Sequence, residues 1–310
     1  MSSGLRAVVI GYGVQGHKRA NIAGSDVVAI VDPISPDAGV RSLSDVPPDS
    51  YDAALVCTPD HAKFALLDDL LSRGKHVLVE KPLVGSDAQL AALAQRAEQN
   101  GAVCYTAYNH RFEPHFVRVR DALANGAIGT VYHCRLFYGN GTARLVRDSA
   151  WRDSGSGALH DLGSHLLDTL LFWFGDVRWK FRIVSSQCFE NRAPDHIVFA
   201  AAGMPQIECE MTLLSWRNHF TCDIFGSEGS LHISSLCKWG PSSFTLRRRV
   251  LPSGRPPEET VTLVQDDPTW AAEYDHFRNL CVTRRGGDLA RDRRLNAALS
   301  NLARQAGVVE

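Results

Sequence analysis

Residues Ala7–Gly16, Ala-Val-Val-Ile-Gly-Tyr-Gly-Val-Gln-Gly, constrain the fold of this chain more than any other stretch. A short apolar run, the length of a buried parallel strand, breaks directly into Gly-x-Gly-x-x-Gly, and a helix-compatible segment from Val14 to Ala23 follows. Gly11 permits a tight turn, Gly13 leaves room for a pyrophosphate against the backbone, and Gly16 lets the helix lie close to the strand. The backbone along Gly11, Tyr12, Gly13, Val14, Gln15 and Gly16 then presents a helix N-terminus, whose amides and dipole hold phosphates. A second apolar run, Val27–Val31, ends in Asp32, about 20 residues after the first glycine, where a dinucleotide site keeps its ribose-binding carboxylate.

The chain continues in the same cadence. Pro33, Pro36, Pro47 and Pro48 fill the segment after Asp32, so the crossover helix there is expected to be short or missing. Strands are expected at Ala53–Cys57, His76–Val79 and Val103–Thr106, with helices between them, the first capped by Gly74 and the next opened by Ser86. Alternation of this kind specifies a doubly wound parallel sheet whose ligand lies beyond the carboxyl ends of the strands. Those ends carry Gly11–Gly16, Asp32, Thr58-Pro59-Asp60-His61, Glu80-Lys81 and Tyr108-Asn109-His110-Arg111, which should converge on one crevice. Thr58, Pro59, His61, Glu80, Lys81 and Asn109 therefore join the glycine turn and Asp32 as candidate cofactor contacts.

From about Pro114 the texture changes. A helix to Asn125 leads into an alternating strand over 131–137, a polar loop over 139–156 reads as a lid or pocket wall, and Ala158–Phe174 reads as an apolar helix. Short runs between 179 and 264, separated by Gly, Pro and Ser turns, form a mainly antiparallel sheet, and two helices close the chain. At 310 residues two domains are expected, 1–118 and 119–310. The fold class is α/β: an N-terminal Rossmann sheet followed by an α/β domain on an open, mainly antiparallel sheet. Arg247-Arg248-Arg249 reads as a solvated sheet edge.

A formal net charge of -1 gives no general attraction to nucleic acid or to an anionic membrane. The eight cysteines show no Cys-x-x-Cys spacing, so neither zinc nor a redox pair is expected, and they read as reduced, mostly buried residues. No signal-like segment or spanning apolar run stands out, which makes the cytoplasm the expected setting.

The second chemically informative stretch is Gly157-Ala-Leu-His-Asp-Leu-Gly-Ser-His-Leu-Leu-Asp168. Asp161 and His165 are four apart and share one face of a helix, an arrangement in which a histidine takes a hydroxyl proton and a carboxylate orients its ring. The same spacing serves a buried network in which Asp161 caps the helix and His165 satisfies a core donor. Lys81, at a strand end beside a nicotinamide, would stabilise an alkoxide as it develops, and Pro82 restricts its backbone. A Glu-Lys-Pro triplet serves equally as a surface turn with an ion pair.

The order of these motifs, Gly-x-Gly-x-x-Gly, Asp32, Thr58-Pro59, Glu80-Lys81-Pro82, Asn109-His110-Arg111-Phe112 and Gly157–Asp168, resembles the glucose-fructose oxidoreductase and inositol dehydrogenase family, Gfo/Idh/MocA, over almost the full length. The resemblance implies hydride exchange between a nicotinamide cofactor and a secondary alcohol or ketone of a sugar, cyclitol or nucleotide sugar. It also implies a homodimer or homotetramer assembled through the C-terminal sheet. By position it makes Lys81 the family's lysine near the substrate hydroxyl, Asp161 and His165 its helix pair, and His165 the acid/base. Lys81, Arg111, Trp151, Asp161 and His165 are the candidate substrate contacts. Arg144, Arg147 and Arg152 either join them around a phosphorylated or nucleotide-linked sugar or are solvated.

Asp32 would repel a 2′-phosphate and favours NAD over NADP, with Arg41 as the residue that could fold back to admit NADP. Two departures from the family pattern stand out: the shortened segment after Asp32, and Ala158 where many relatives have a second glycine, which would narrow the pocket floor. Two other tasks are compatible with the same fold. One is transient oxidation with elimination or glycosidic cleavage on a retained NAD; the other is a non-catalytic NAD-binding regulatory protein.

Overall fold

The computed structural model describes residues 4–149, 152–175, 179–284, 287 and 289–308. In chain order the first elements are β1 (Ala7–Ile10), α1 (Val14–Ala23), β2 (Val27–Val31), β3 (Ala53–Val56), α2 (Asp60–Ser72), β4 (His76–Glu80), α3 (Asp87–Gln99) and β5 (Cys104–Ala107). After them come α4 (Pro114–Ala124), β6 (Val131–Gly139), α5 (Ala143–Arg147), a π-helical turn (Leu159–Gly163) and α6 (Ser164–Phe174). Seven strands follow, β7 (Arg182–Gln187), β8 (His196–Ala201), β9 (Gln206–Thr212), β10 (His219–Gly226), β11 (Gly229–Ser234), β12 (Ser242–Arg248) and β13 (Glu258–Leu263). The helices α7 (Thr269–Thr283) and α8 (Leu289–Gln305) end the chain. Among the described residues no helix is long and apolar enough to cross a membrane.

The chain divides into two compact units, the first made of Met1–Tyr108 and Trp270–Asn296, the second of Asn109–Thr269 and Ala297–Glu310. In the first unit five parallel strands lie in the order β2-β1-β3-β4-β5. β1, β3 and β5 are buried at every position, because an apolar run with both faces covered by helices has no solvent side. One face packs Val8, Ala54, Val56 and Val77 against Leu67, Leu70 and Leu71 of α2 and Leu90 and Leu93 of α3. The other packs Ala7, Val9, Leu55 and Leu78 against Ala23 of α1 and Tyr274, Phe277 and Cys281 of α7. As the prolines required, β2 and β3 are joined without an α-helix, through single 3₁₀ turns at Leu43–Asp45 and Pro48–Ser50.

The second unit is built on eight strands in the order β13-β12-β11-β10-β6-β9-β8-β7, antiparallel except for the β6–β9 pair. Alternate residues Cys134, Leu136, Phe220, Cys222, Ile224, Leu231 and Ile233 are buried on one face. β12 is not the edge expected for the arginine run. β13 pairs beyond it and sets Glu258 and Glu259 against Arg247 and Arg248 at 3.1 and 3.2 Å, so the charges close a ladder.

Candidate active site

In the five-stranded sheet β1 has β2 on one side and β3 on the other, so the order in which strands are added reverses there and opens a crevice at the carboxyl ends. The glycine turn occupies that point. A Cβ on Gly11 would lie 2.7 Å from the carbonyl oxygen of Cys57, and its φ of +90° is one that side chains rarely adopt. A Cβ on Gly16 would overlap the carbonyl of Gly11. Over Gly13 there is nothing within 4 Å, Val14 is 75% exposed, and the first turn of α1 holds no acidic side chain. The result is an open, uncompensated helix N-terminus suited to an anion. Thr58 Oγ1, at the neighbouring end of β3, is buried with no partner among the described residues. Pro59 caps α2, and His61 is exposed on its first turn. These features fit a dinucleotide phosphate group.

Asp32 does more than await a ribose. Its Oδ2 accepts the Tyr12 amide at 2.7 Å, and its Oδ1 accepts the amides of Ile34 at 2.8 Å and Ser35 at 2.7 Å. Burial pushes its pKa up, but these three amides together with the nearby Arg41 outweigh burial and hold it below the usual carboxylate value. A carboxylate has about four acceptor positions, so capacity remains for a hydroxyl. Arg41 does fold back: its Nη1 donates to the carbonyl of Ser35 at 2.6 Å and to that of Asp32 at 3.4 Å.

Glu80 is bound from within the protein. Its Oε1 accepts from Nε of Arg19 at 2.7 Å, while Nη1 of Arg19 reaches Oε2 of Glu273 at 2.7 Å and the guanidinium stacks 4.3 Å from the Trp270 ring centre. Arg19 is 1% exposed. Burial works against its charge, yet the two carboxylates raise its pKa further above the ordinary value. Lys81 is half-buried at the end of β4. The sequence offers no signal for Arg19 or Glu273, since each looks like one more charged helical residue.

The second unit assembles the other candidates. His165, buried in α6, lies under His110, with ring centroids 4.0 Å apart and planes 22° from parallel. The Tyr138 ring of β6 stands 5.5 Å from His110 and 6.1 Å from His165. Lys238 Nζ is 3.2 Å from His110 Nε2 and 4.9 Å from the Trp239 ring centre. Burial, and then the charge of Asp161, push the Tyr138 hydroxyl well above its ordinary pKa, so it stays protonated. His110 was visible only as part of a polar strand-end cluster, and Lys238 and Tyr138 had no sequence signal.

The helix carrying Asp161 and His165 is not the regular one their spacing predicted. A π-helical turn covers Leu159–Gly163 and α-helical geometry begins at Ser164. Such turns recur where a helix is bent to serve a site. Asp161 is 40% exposed and lies 3.8 Å from Arg152. Arg111 forks onto the buried Asp168, Nη2 to Oδ1 at 2.6 Å and Nε to Oδ2 at 2.9 Å. Asn109 donates to Thr269 Oγ1 at 2.7 Å. Ala158 is fully buried, with its amide donating to the carbonyl of Pro194 at 2.8 Å. Arg144 and Arg147 lie on α5, inside the segment expected to be a loop, and are exposed. Trp151 lies outside the described residues.

The profile of the oxidoreductase family with an NAD-binding Rossmann fold matches residues 5–108, and that of the GFO/IDH/MocA C-terminal domain matches residues 116–232. The chain belongs to the Gfo/Idh/MocA family. This Gfo/Idh/MocA chain is 24% identical over 260 residues to the scyllo-inositol 2-dehydrogenase (NADP(+)) IolW of Bacillus subtilis, covering 82% of this chain and 67% of that one. It is 22% identical to the scyllo-inositol 2-dehydrogenase (NAD(+)) of the same organism, covering 76% and 75%. With other relatives the shared part is smaller: it spans 55% of the uncharacterised oxidoreductase YdgJ of Escherichia coli, at 30% identity over 56% of this chain. Among solved structures, levoglucosan dehydrogenase in complex with NADH superposes with a TM-score of 0.84 at 17% identity, covering 98% of this chain and 97% of that one. An inositol dehydrogenase homolog from Azotobacter vinelandii, complexed with NADH and myo-inositol, gives 0.80 at 16%, covering 99% and 96%. The first unit of this Gfo/Idh/MocA protein is accordingly its NAD-binding Rossmann domain.

Proposed function

We propose that this protein is an NAD(P)-dependent dehydrogenase or reductase acting on a secondary alcohol or ketone of a sugar or cyclitol. Residues 1–118 serve as the cofactor-binding part and 119–310 as the substrate-binding part, with the difference that Trp270–Asn296 pack in the first unit and Asn109 onward in the second. The observation that carries the reading is the buried His165 imidazole, held flat against His110, in a chain whose other unit is an NAD-binding domain. The dehydrogenases of scyllo-inositol and levoglucosan among its relatives and fold neighbours support the substrate class.

Gly11–Gly16 hold the pyrophosphate by backbone amides and Asp32 accepts from the ribose hydroxyls. When bound, the nicotinamide supplies the hydride acceptor in oxidation and the donor in reduction. His165 takes the substrate hydroxyl proton, or returns it in the reverse direction. Lys81 stabilises the negative charge developing on the substrate oxygen. Asp161 orients a neighbouring hydroxyl or the His165 ring. A homo-oligomer formed through the outer face of the eight-stranded sheet is supported by Phe225, 41% exposed there beside His133 and His232. A reducing, cytoplasmic setting is supported by eight thiols without a disulfide.

The test is a panel of myo-inositol, scyllo-inositol, levoglucosan and nucleotide sugars, with each cofactor, followed by the absorbance of reduced nicotinamide. Turnover of at least one member is expected. Cofactor binding with no turnover across the panel would assign the chain a regulatory task. Cofactor that copurifies and cycles without net reduction would assign it transient oxidation with elimination.

A further inference from the structure

The buried stripe of α2 reads Lys63, Leu67, Leu70 and Leu71, so a lysine occupies a position where the helix otherwise presents leucine to the core. Lys63 is 2% exposed. Burying an ammonium is costly unless its donors are matched, and here each has an acceptor. Nζ donates to the carbonyl of Glu80 at 2.7 Å, to the carbonyl of Pro82 at 3.0 Å, and to Oδ1 of Asp60 at 2.7 Å. An ammonium has three protons, so none is left for a ligand. The two carbonyls it holds belong to the residues on either side of Lys81.

The ladder of β4 with β5 ends at Glu80, and beyond it Pro82 has no amide to offer. The backbone that carries Lys81 is therefore fastened at its two flanks by one buried cation, with Arg19 holding the Glu80 side chain as a third point. We propose that Lys63 is a positioning residue for Lys81: it pins the carbonyls of Glu80 and Pro82 and so fixes the direction in which the Lys81 side chain leaves the strand. The inference rests on the reading of Lys81 as the group that stabilises the substrate oxygen. With its three protons committed to Glu80, Pro82 and Asp60, Lys63 acts through the backbone that carries Lys81. It converts the end of a strand into a rigid mount, which matters because a displacement of about 1 Å in a reacting group can cost about a hundredfold in rate.

The experiment compares the parent with Lys63→Met, Lys63→Arg and Lys81→Ala in the full chain. It uses two readouts: deuterium uptake of the segment 79–85 by mass spectrometry, and kcat and KM with the polyol that the panel above selects. Lys63→Met is expected to raise uptake in that segment while the rest of the first unit keeps the parent pattern. It should also lower kcat about a hundredfold with the KM for cofactor nearly unchanged, and Lys63→Arg should recover a large part of both. Parent-like uptake and kcat in Lys63→Met would overturn the proposal. So would a uniform rise in uptake across residues 4–108 with kcat and cofactor affinity falling together, because Lys63 would then act on the fold as a whole. Parent-like turnover in Lys81→Ala would overturn the reading of Lys81 instead, and the uptake measurement would still decide whether Lys63 is the fastening.

Discussion

His110 lies face to face with His165, their ring centres 4.0 Å apart. The contact covers one face of the His165 ring, so on the proposed reading His110 fixes the plane of the ring that moves the proton. His165→Ala is expected to lower kcat by about two to four orders of magnitude with cofactor binding retained, read as NADH fluorescence in the same preparation. His165→Ala with parent turnover would end the assignment.

Lys238 faces the other end of the stack, 3.2 Å from Nε2 of His110. A lysine ammonium there can only donate, and Lys238→Met removes that donor. A loss of about tenfold in kcat is expected, on the order of one hydrogen bond to a charged group, with Lys238→Arg close to the parent. Equal kcat in all three would show that the contact has no part in turnover.

The Asp32 carboxylate and the Arg41 guanidinium share one loop, where Arg41 helps hold the Asp32 pKa down, and on the proposed reading the two act in opposite senses on a 2′-phosphate. NAD is expected to be preferred. Asp32→Asn keeps an oxygen for the amides of Ile34 and Ser35 while removing the charge, and should raise the NADP-to-NAD ratio of kcat/KM by about tenfold or more. Arg41→Ala should lower it. A parent enzyme strongly selective for NADP would contradict this account.

Two glycines of one turn should fail in different ways. Gly13→Ala has open space for its methyl, so the fold should tolerate it while cofactor affinity falls. Gly16→Ala would drive its methyl into the carbonyl of Gly11 and should lower the melting temperature as well. Thermal unfolding and cofactor titration on the same two variants separate these outcomes.

His76 accepts the Val103 amide on Nδ1 at 3.0 Å, and burial, followed by the charge of Arg284, holds its pKa below the ordinary histidine value. The unfolded chain takes up a proton there below about pH 6.5, whereas the folded ring resists it. The stability this ring contributes is therefore complete above that pH and is lost as pH falls toward the folded pKa, at up to about 1.4 kcal/mol per pH unit. Urea midpoints should drop between about pH 7 and pH 5.5, and His76→Gln, which keeps an acceptor, should flatten that drop. An unchanged slope would show that other groups set the acid limit.

Much of the first unit was legible because its information is local. Although Asp32 also reaches the Tyr12 amide 20 positions back, the strand lengths, the prolines after Asp32 and the Asp32 bonds to Ile34 and Ser35 each act within a few residues of where they are written. The same holds for the alternation that builds the eight-stranded sheet. The π-helical turn under Asp161 was not legible, since residue spacing alone carries no mark of an extra residue in a helical turn. The arginine run on β12 was misplaced at an edge for a similar reason, because the partner that covers it lies beyond a separate turn.

The amino-acid sequence by itself determined which segments are strands and helices, which faces they bury, and where an anion-binding turn must form, because periodicity and backbone geometry are properties of neighbours in the chain. Only the tertiary structure decided who meets whom: Arg19 with Glu273 across 254 positions, Lys63 with the carbonyls flanking Lys81, His110 with His165. A charged or aromatic side chain is compatible with many partners of suitable sign or shape. Packing selects one of them by bringing it within hydrogen-bonding or stacking distance, where a short-range interaction acquires its strength.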